Sequence, residues 1–215
     1  MNATTQFVIY GAGGHARVIR DIAVALGADE FIGFVVEDNA VSGDDHCISE
    51  RELTALDCRR GVVGIGDNQR RLEVVKKVSE TMPDFQFITL VDPRCARQSD
   101  VEIGCGSVVM PGVSLNTGTR IGRHCIVNMQ AAIDHDCVLD DFSSVAPGAT
   151  LGGHVRVGSQ SAISLGANLI HGVSIGAHTV IGAGATVVND IGRGLVAVGT
   201  PCRKLRERAI GEPYF

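Results

Sequence analysis

The stretch Ile121-Gly-Arg-His-Cys-Ile-Val127-Asn-Met-Gln-Ala-Ala-Ile133-Asp-His-Asp-Cys-Val-Leu139 decides how the chain is read. An aliphatic residue returns at every sixth position. The register holds unbroken outward in both directions, from Ile103, Val109 and Leu115 to Ile175, Ile181 and Val187. Four residues after each of these stands a second column, which runs from Ser107 and Val113 through Cys125, Ala131 and Cys137 to Ile191. It is mostly small and carries neither charge nor aromatic ring. A helix would repeat every 3.6 residues and an ordinary strand every 2. A period of six is the mark of a parallel β-helix, in which each short strand lines one flat side of a coil. The aliphatic column then fills the interior, and the second column stays small where two walls meet. Three sides of six residues make a coil of eighteen, so the fifteen inward positions imply about five coils.

Working outward from the repeat, glycine makes up 27 of 215 residues, against a usual share of about 7%. The excess gathers just after the aliphatic position (Gly104, Gly122, Gly152, Gly158, Gly176, Gly182), where coil corners are expected to need a permissive backbone. Past Ile191 the period fails. Residues 194–201 read as a strand and turn, and Cys202 to Ala209 as a short basic helix. On the N-terminal side, Phe7-Val-Ile-Tyr10 reads as a buried strand and Gly11-Ala-Gly-Gly-His15 as a tight turn. Ala16 to Leu26 is a helix with Ile19, Ile22 and Ala23 on one face. Further strands are expected at Phe31–Val36, Val62–Ile65 and Phe85–Leu90. Helices are expected at Arg51–Leu56 and from about Gln69 to Glu80, the latter capped by Asp67 or Asn68. Strands alternating with helices give a small parallel α/β unit of Rossmann-like kind. The division is 1–93 for this unit, 94–192 for the coil, and 193–215 for a C-terminal strand, turn and basic helix.

A formal charge of −5 and a pI near 5.8 give no electrostatic footprint for nucleic acid. Seven cysteines without C-x-x-C spacing indicate neither a disulfide framework nor a zinc site. No apolar run approaches the roughly 18–20 residues of a membrane span, and Phe7–Tyr10 is too short for a signal peptide. The expected compartment is the cytoplasm.

The chemically loaded break in the repeat is Ile133-Asp134-His135-Asp136. A histidine beside a carboxylate can act as a general base, because the carboxylate orients the ring and stabilises the imidazolium. Either Asp134 or Asp136 could be that carboxylate. His154 lies eighteen residues beyond Asp136, hence stacked on it one coil along; His171 lies two coils beyond His135; His124 and His178 are expected to face solvent. In the N-terminal turn, Gly11, Gly13 and Gly14 leave backbone N–H groups open to a phosphate at the start of a helix. The acidic pair Glu37-Asp38 ends the second strand, where a carboxylate can bind a ribose or a base edge. So short an α/β unit suits one nucleotide better than two.

Together these motifs resemble the bacterial sugar acyltransferases of the left-handed β-helix superfamily, in particular the sialic acid O-acetyltransferase family. Within it, the chain is most similar to N-acetyltransferases of nucleotide-linked 4-amino-4,6-dideoxy sugars. The resemblance rests on Val8-Ile-Tyr-Gly-Ala-Gly-Gly-His15, Ile65-Gly-Asp-Asn68, the hexapeptide block, Asp134-His-Asp-Cys137 and Val198-Gly-Thr-Pro201. It implies a left-handed coil, a homotrimer, a sugar-nucleotide substrate, acetyl-CoA as acyl donor and no metal. It also implies His135 as catalytic base with Asp136 beside it. Gly11, Gly13, Gly14, His15, Glu37, Asp38, Gly66 and Asn68 are then the sugar-nucleotide side. Asn128, Gly153, Gly184, Pro201, Arg203 and Lys204 are the coenzyme side. Other expectations compatible with the residues are O-acetylation of a sialic-acid-like hydroxyl, a trimeric metal hydrolase needing three convergent histidines, and a non-catalytic scaffold.

Overall fold

The computed structural model describes residues 5–27, 29–37 and 46–213; Asp38 lies outside them. The N-terminal unit is a five-stranded parallel sheet. Its strands are β1 (Thr5–Tyr10), β2 (Asp29–Val36), β3 (Cys47–Ser49), β4 (Arg60–Val63) and β5 (Gln86–Phe87), in the order β3-β2-β1-β4-β5. Side-chain alternation along β1 divides its two faces. Phe7 and Ile9 pack with Ala16, Ile19 and Ile22 of helix α1 (Gly14–Leu26). Val8 and Tyr10 pack with Leu53 of α2 (Glu50–Ala55) and with Val75 and Val78 of α3 (Asn68–Thr81). Asp67, not Asn68, caps α3: its carboxylate accepts the Arg70 N–H at 2.9 Å. β3 is too short to stand out in the sequence. It exists because its backbone pairs with the free edge of β2.

The coil consists of seventeen two-residue strands, from Leu90–Val91 to Thr186–Val187. Each but the last three pairs in parallel with the strand eighteen residues on, as Ile126–Val127 does with Ser144–Val145. The strands form three flat faces of a left-handed parallel β-helix: the first begins at Leu90–Val91, the second at Ala96–Arg97 and the third at Glu102–Ile103. The aliphatic column and the small column together form one continuous core along the axis, including Val109, Ile121, Cys125, Val127, Ala131, Ile133 and Cys137.

Four expectations are corrected. Phe85–Leu90 is not one strand: Gln86–Phe87 closes the α/β sheet, whereas Leu90 already pairs with Val108 in the coil. The glycines after the aliphatic column are not there for backbone freedom, since the positive φ angles fall two residues later. Every sixth residue from Gly106 to Gly184 is left-handed, and half of those positions are not glycine. The earlier glycines instead permit close stacking: a Cβ on Gly152 would stand 2.7 Å from the backbone nitrogen of His171 in the next coil. Residues 202–209 are not a basic helix. Arg203–Glu207 is a strand that folds back antiparallel on Leu195–Val198. The last coil leaves unpaired N–H and C=O groups, and pairing with that edge outweighs local helix preference. The charged outer strand then discourages further addition. Finally, His124 and His178 do not face solvent; both are buried. His124 stacks on Phe142 (centroids 4.9 Å apart) and meets Phe87 edge-on, because the α/β unit covers its corner.

That covering is specific. The outward residues of the first face (Val108, Ile126, Ser144, Ala162, Val180) are all buried, and Val108 and Met110 share a core with α1 and β1. Arg71, itself buried, crosses the junction. Its guanidinium donates to the carbonyls of Ile65 and Gly66 on one side and of His124 and Phe142 on the other. No described helix is long and apolar enough to cross a membrane.

Candidate active site

Residues 134–137 turn the chain from the second face to the third. Asp136 sits at the left-handed position of this corner (φ 57°), and His154 holds the same position one coil on (φ 61°). The two carboxylates beside His135 have separate tasks. Asp134 accepts the His135 backbone N–H at 2.8 Å and the Asn116 amide at 2.9 Å. Asp136 stands 2.8 Å from His135 Nδ1. An ionised carboxylate only accepts, so Nδ1 carries the proton and Nε2 keeps its lone pair. The hydrogen bond that Nδ1 donates to Asp136, reinforced by the charges of Asp134 and Asp136, raises the His135 pKa above its usual value against the loss of hydration.

Nε2 lies against Gly153. A Cβ on that glycine would fall 2.5 Å from it, so Gly153 is the residue that lets the imidazole occupy its place. His154 meets the His135 ring edge-on, with centroids 5.0 Å apart, and brings its Nε2 to 3.8 Å from Asp136 Oδ2. Its stacking on Asp136 was legible from the eighteen-residue spacing; its contact with the His135 ring was not.

The N-terminal candidates gather elsewhere. His15, Gly66 and Asn128 line one cavity of about 650 Å³ between the α/β unit and the coil. Its floor is the first face and the adjoining corner, with Ile126, Ala162 and Leu165 exposing apolar surface to it. His15 Nε2 is buried without a hydrogen-bond partner. Burial, and secondarily the charge of Arg71, lower the His15 pKa to about 4, which keeps the ring neutral near pH 7. Gly11 and Glu37 line a second cavity of about 430 Å³ with Arg70 and Glu73. Gly13 is the N-cap of α1 and offers no side chain to its first turn, and a Cβ there would meet nothing within 4 Å. That turn is open to an anion. Asn68 serves another purpose: its amide donates to Ser161 O at 3.0 Å, and its oxygen accepts from Arg71 at 2.7 Å.

Gly184 has left-handed backbone (φ 65°) on the corner between first and second faces, the corner that also carries Asn128. Pro201 follows a cis peptide bond. Arg203 pairs with Val198 on the terminal strand; Val196, which pairs with Arg206, reaches the 650 Å³ cavity. Of the coenzyme candidates, Asn128 lines the cavity, Gly184 shares its corner, and Arg203 and Lys204 lie on the terminal strand. The cavity and His135 do not meet within one chain. In a three-sided coil, the corner between the second and third faces is opposite the first face.

Sequence reasoning missed the docking face. Its signal was present: the residue before the inward aliphatic, read every eighteen, is Val108, Ile126, Ser144, Ala162 and Val180, without a charge. The third face reads Glu102, Arg120, Val138 and Arg156 at the equivalent positions.

Comparison with known proteins agrees with this architecture. Residues 6–78 match the family model described as the PglD N-terminal domain. A variant of the GDP-perosamine N-acetyltransferase of Caulobacter crescentus, with one histidine replaced by alanine and solved with CoA and GDP-perosamine, superposes with a TM-score of 0.88. It is 31% identical, over 95% of this chain and 99% of that one. The acetyltransferase domain of PglB from Neisseria gonorrhoeae, solved with acetyl coenzyme A, gives 0.86 at 31% identity over 94% and 100% of the two chains. The GDP-perosamine N-acetyltransferase of Escherichia coli O157:H7 is 27% identical over 160 residues, 68% of this chain and 70% of that protein. The α/β unit and the coil therefore stand in known company: this chain belongs to the family of bacterial sugar N-acetyltransferases built on a left-handed β-helix.

Proposed function

We propose that the chain transfers the acetyl group of acetyl-CoA to the amine of a nucleotide-linked 4-amino-4,6-dideoxy sugar. The observation that carries this reading is the His135–Asp136 pair with Nε2 directed at the space beside Gly153. The amine attacks the thioester carbonyl directly, and Nε2 of His135 takes its proton. Asp136 holds Nδ1–H and so keeps the tautomer that leaves Nε2 free. The Gly153 backbone N–H stabilises the oxyanion that develops; such a donor is worth roughly 3–4 kcal/mol of barrier. Collapse expels the CoA thiolate, which takes up a proton, and the amide product leaves. No covalent enzyme intermediate is needed.

The acceptor's nucleotide is assigned to the α/β unit. Its phosphates sit at the N-terminus of α1 over Gly13 and Gly14, with Gly11 and Glu37 in the cavity beyond and His15 and Gly66 towards the sugar. Because the His135 corner lies opposite the cavity-bearing face, one chain cannot bring acceptor and base together. We therefore assign the active site to the cleft between copies of a homotrimer. Gly153 of one copy would then face Asn128, Gly184, Pro201, Arg203 and Lys204 of the next across the coenzyme. The reading carries with it a cytoplasmic location, where acetyl-CoA and nucleotide sugars are available.

The test is a panel of UDP-, GDP- and dTDP-linked 4-amino sugars against CMP-sialic acid, with release of free CoA thiol followed. Turnover of an amino sugar supports N-acetylation; turnover confined to CMP-sialic acid would transfer the activity to a hydroxyl.

A further inference from the structure

We infer that the corner carrying His135 also binds a divalent transition-metal ion of the zinc class, and that the bound ion switches the general base off. One donor atom from each of His135, Asp136 and His154 lies within 4.8 Å of the other two in a single chain, and Asp136 Oδ2 faces His135 Nδ1 on one side and His154 Nε2 on the other. Two imidazoles and one carboxylate are a recurrent protein ligand set for zinc, with the fourth position left to water. Nitrogen donors of this kind favour zinc, cobalt, nickel and copper over magnesium or calcium.

The geometry is close to that of a loaded site. Ligand atoms at about 2.0–2.2 Å on tetrahedral vertices stand roughly 3.3 Å apart. The Asp136–His154 separation of 3.8 Å must close a little, and the His135–Asp136 separation of 2.8 Å must open a little. Side-chain rotation suffices for both, since all three side chains are substantially exposed. The backbone needs no adjustment. The coil already fixes Asp136 and His154 in the left-handed conformation on adjacent turns, and the His154 N–H binds the His135 carbonyl at 2.9 Å.

The consequence for catalysis rests on the function proposed above. A neutral imidazole has one proton and one lone pair. When Nδ1 gives its lone pair to the metal, the ring's proton resides on Nε2, the nitrogen beside Gly153. Nε2 then has no lone pair with which to accept the amine proton. Asp136, engaged by the ion, can no longer enforce the other tautomer. The metal therefore inhibits without covering the pocket, and chelation restores activity.

The test uses full-length protein freed of metal by chelator dialysis, titrated with Zn²⁺ against a chromophoric chelator and with Co²⁺ by visible absorption. One ion per chain is expected, with the intense d–d bands of a four-coordinate Co²⁺ site. His154→Gln should weaken binding by more than the roughly 10–100-fold that even an outer-shell partner of a metal site is worth. His171→Gln, an exposed histidine one coil further along, should change nothing. In turnover assays Zn²⁺ should inhibit the wild type, and His154→Gln should keep its basal rate while losing that sensitivity. Absence of a stoichiometric ion, or binding unchanged in His154→Gln, overturns the site. Binding with full activity retained overturns the switch. Should no acetyl transfer be found at all, the titrations still decide the metal site, so the two proposals fail separately.

Discussion

The corner at His135 and the cavity at His15 are built by opposite means. The corner is exposed, polar and assembled from turn residues one coil apart: His135 is bonded to Asp136, with Gly153 beneath its Nε2. The cavity is lined largely by apolar side chains, and its histidine keeps a buried nitrogen without a partner. Electrostatics act on the two rings in opposite directions. Carboxylates raise the His135 pKa, while burial lowers that of His15 to about 4. The ring proposed as the base stands near water and near charge, and the ring assigned to the acceptor side is neutral and dry. The difference teaches that, under the function proposed above, chemistry and recognition fall on separate surfaces of one chain, and a second copy would have to bring them together.

Changes at the corner should be felt in turnover rather than in folding. His135→Ala is expected to lower kcat by about 10²–10⁴, the usual contribution of a positioned acid–base group, with far-UV circular dichroism unaltered. Activity within tenfold of the wild type would remove His135 from the mechanism. Asp136→Asn should lower kcat too, because the tautomer is no longer enforced. It should also move the acid limb of kcat/KM. The base must be unprotonated, and its pKa is raised by Asp136, so the wild-type rate should fall as pH drops through a value above the ordinary histidine pKa. In the variant that limb should move to lower pH; an unmoved limb would mean that another group sets it. Gly153→Ala places a methyl group where Nε2 lies, and a displacement of this size costs on the order of 10²-fold. Retained kcat would show that the imidazole works from another rotamer.

Changes beneath the cavity side should be felt in stability. His124, stacked on Phe142 and edge-on to Phe87, has its pKa lowered to about 4 by burial first and by Arg71 and Arg123 next. A depressed folded-state value means that its contribution is fully present above the unfolded pKa. The contribution is lost as pH falls from about 6.5 towards 4. The loss is of order 2–3 kcal/mol, measurable as a fall in urea midpoint over that window. His124→Phe should flatten this part of the pH profile, and an unchanged slope would place the acid sensitivity in other groups.

The coil was legible because its constraint is strictly periodic: the inward aliphatic residue of a closed triangular section can be neither charged nor misplaced by one. The α/β unit was legible in outline for the same kind of reason, as Ile19, Ile22 and Ala23 mark one helix face. What escaped the sequence depended on pairing between distant segments. β3 and the strand Arg203–Glu207 exist because a neighbouring edge was free, and local propensity carries no record of that. The choice between Asp134 and Asp136 as partner of His135 turned on the left-handed conformation of Asp136, which composition does not announce. Arg71, on the same face of α3 as the buried Val75 and Val78, proved to be the tie between the two units, and its charge gave no sign of that burial in the sequence. His135 and Asp136 were visible as a break in the repeat; their distance from the cavity was not, because the chain meets that face only after turning a corner.

Subunit complementation tests most directly the claim that base and acceptor pocket come from different copies. His135→Ala chains and His15→Phe chains, each inactive alone, are unfolded together, refolded as a mixture and assayed for acetyl transfer to the best acceptor of the panel. A site shared between copies yields mixed assemblies in which an intact His135 faces an intact His15, and a substantial fraction of activity returns. If the mixed assemblies form and activity stays at the level of the two variants alone, both residues act within one chain, and the separation drawn here is wrong.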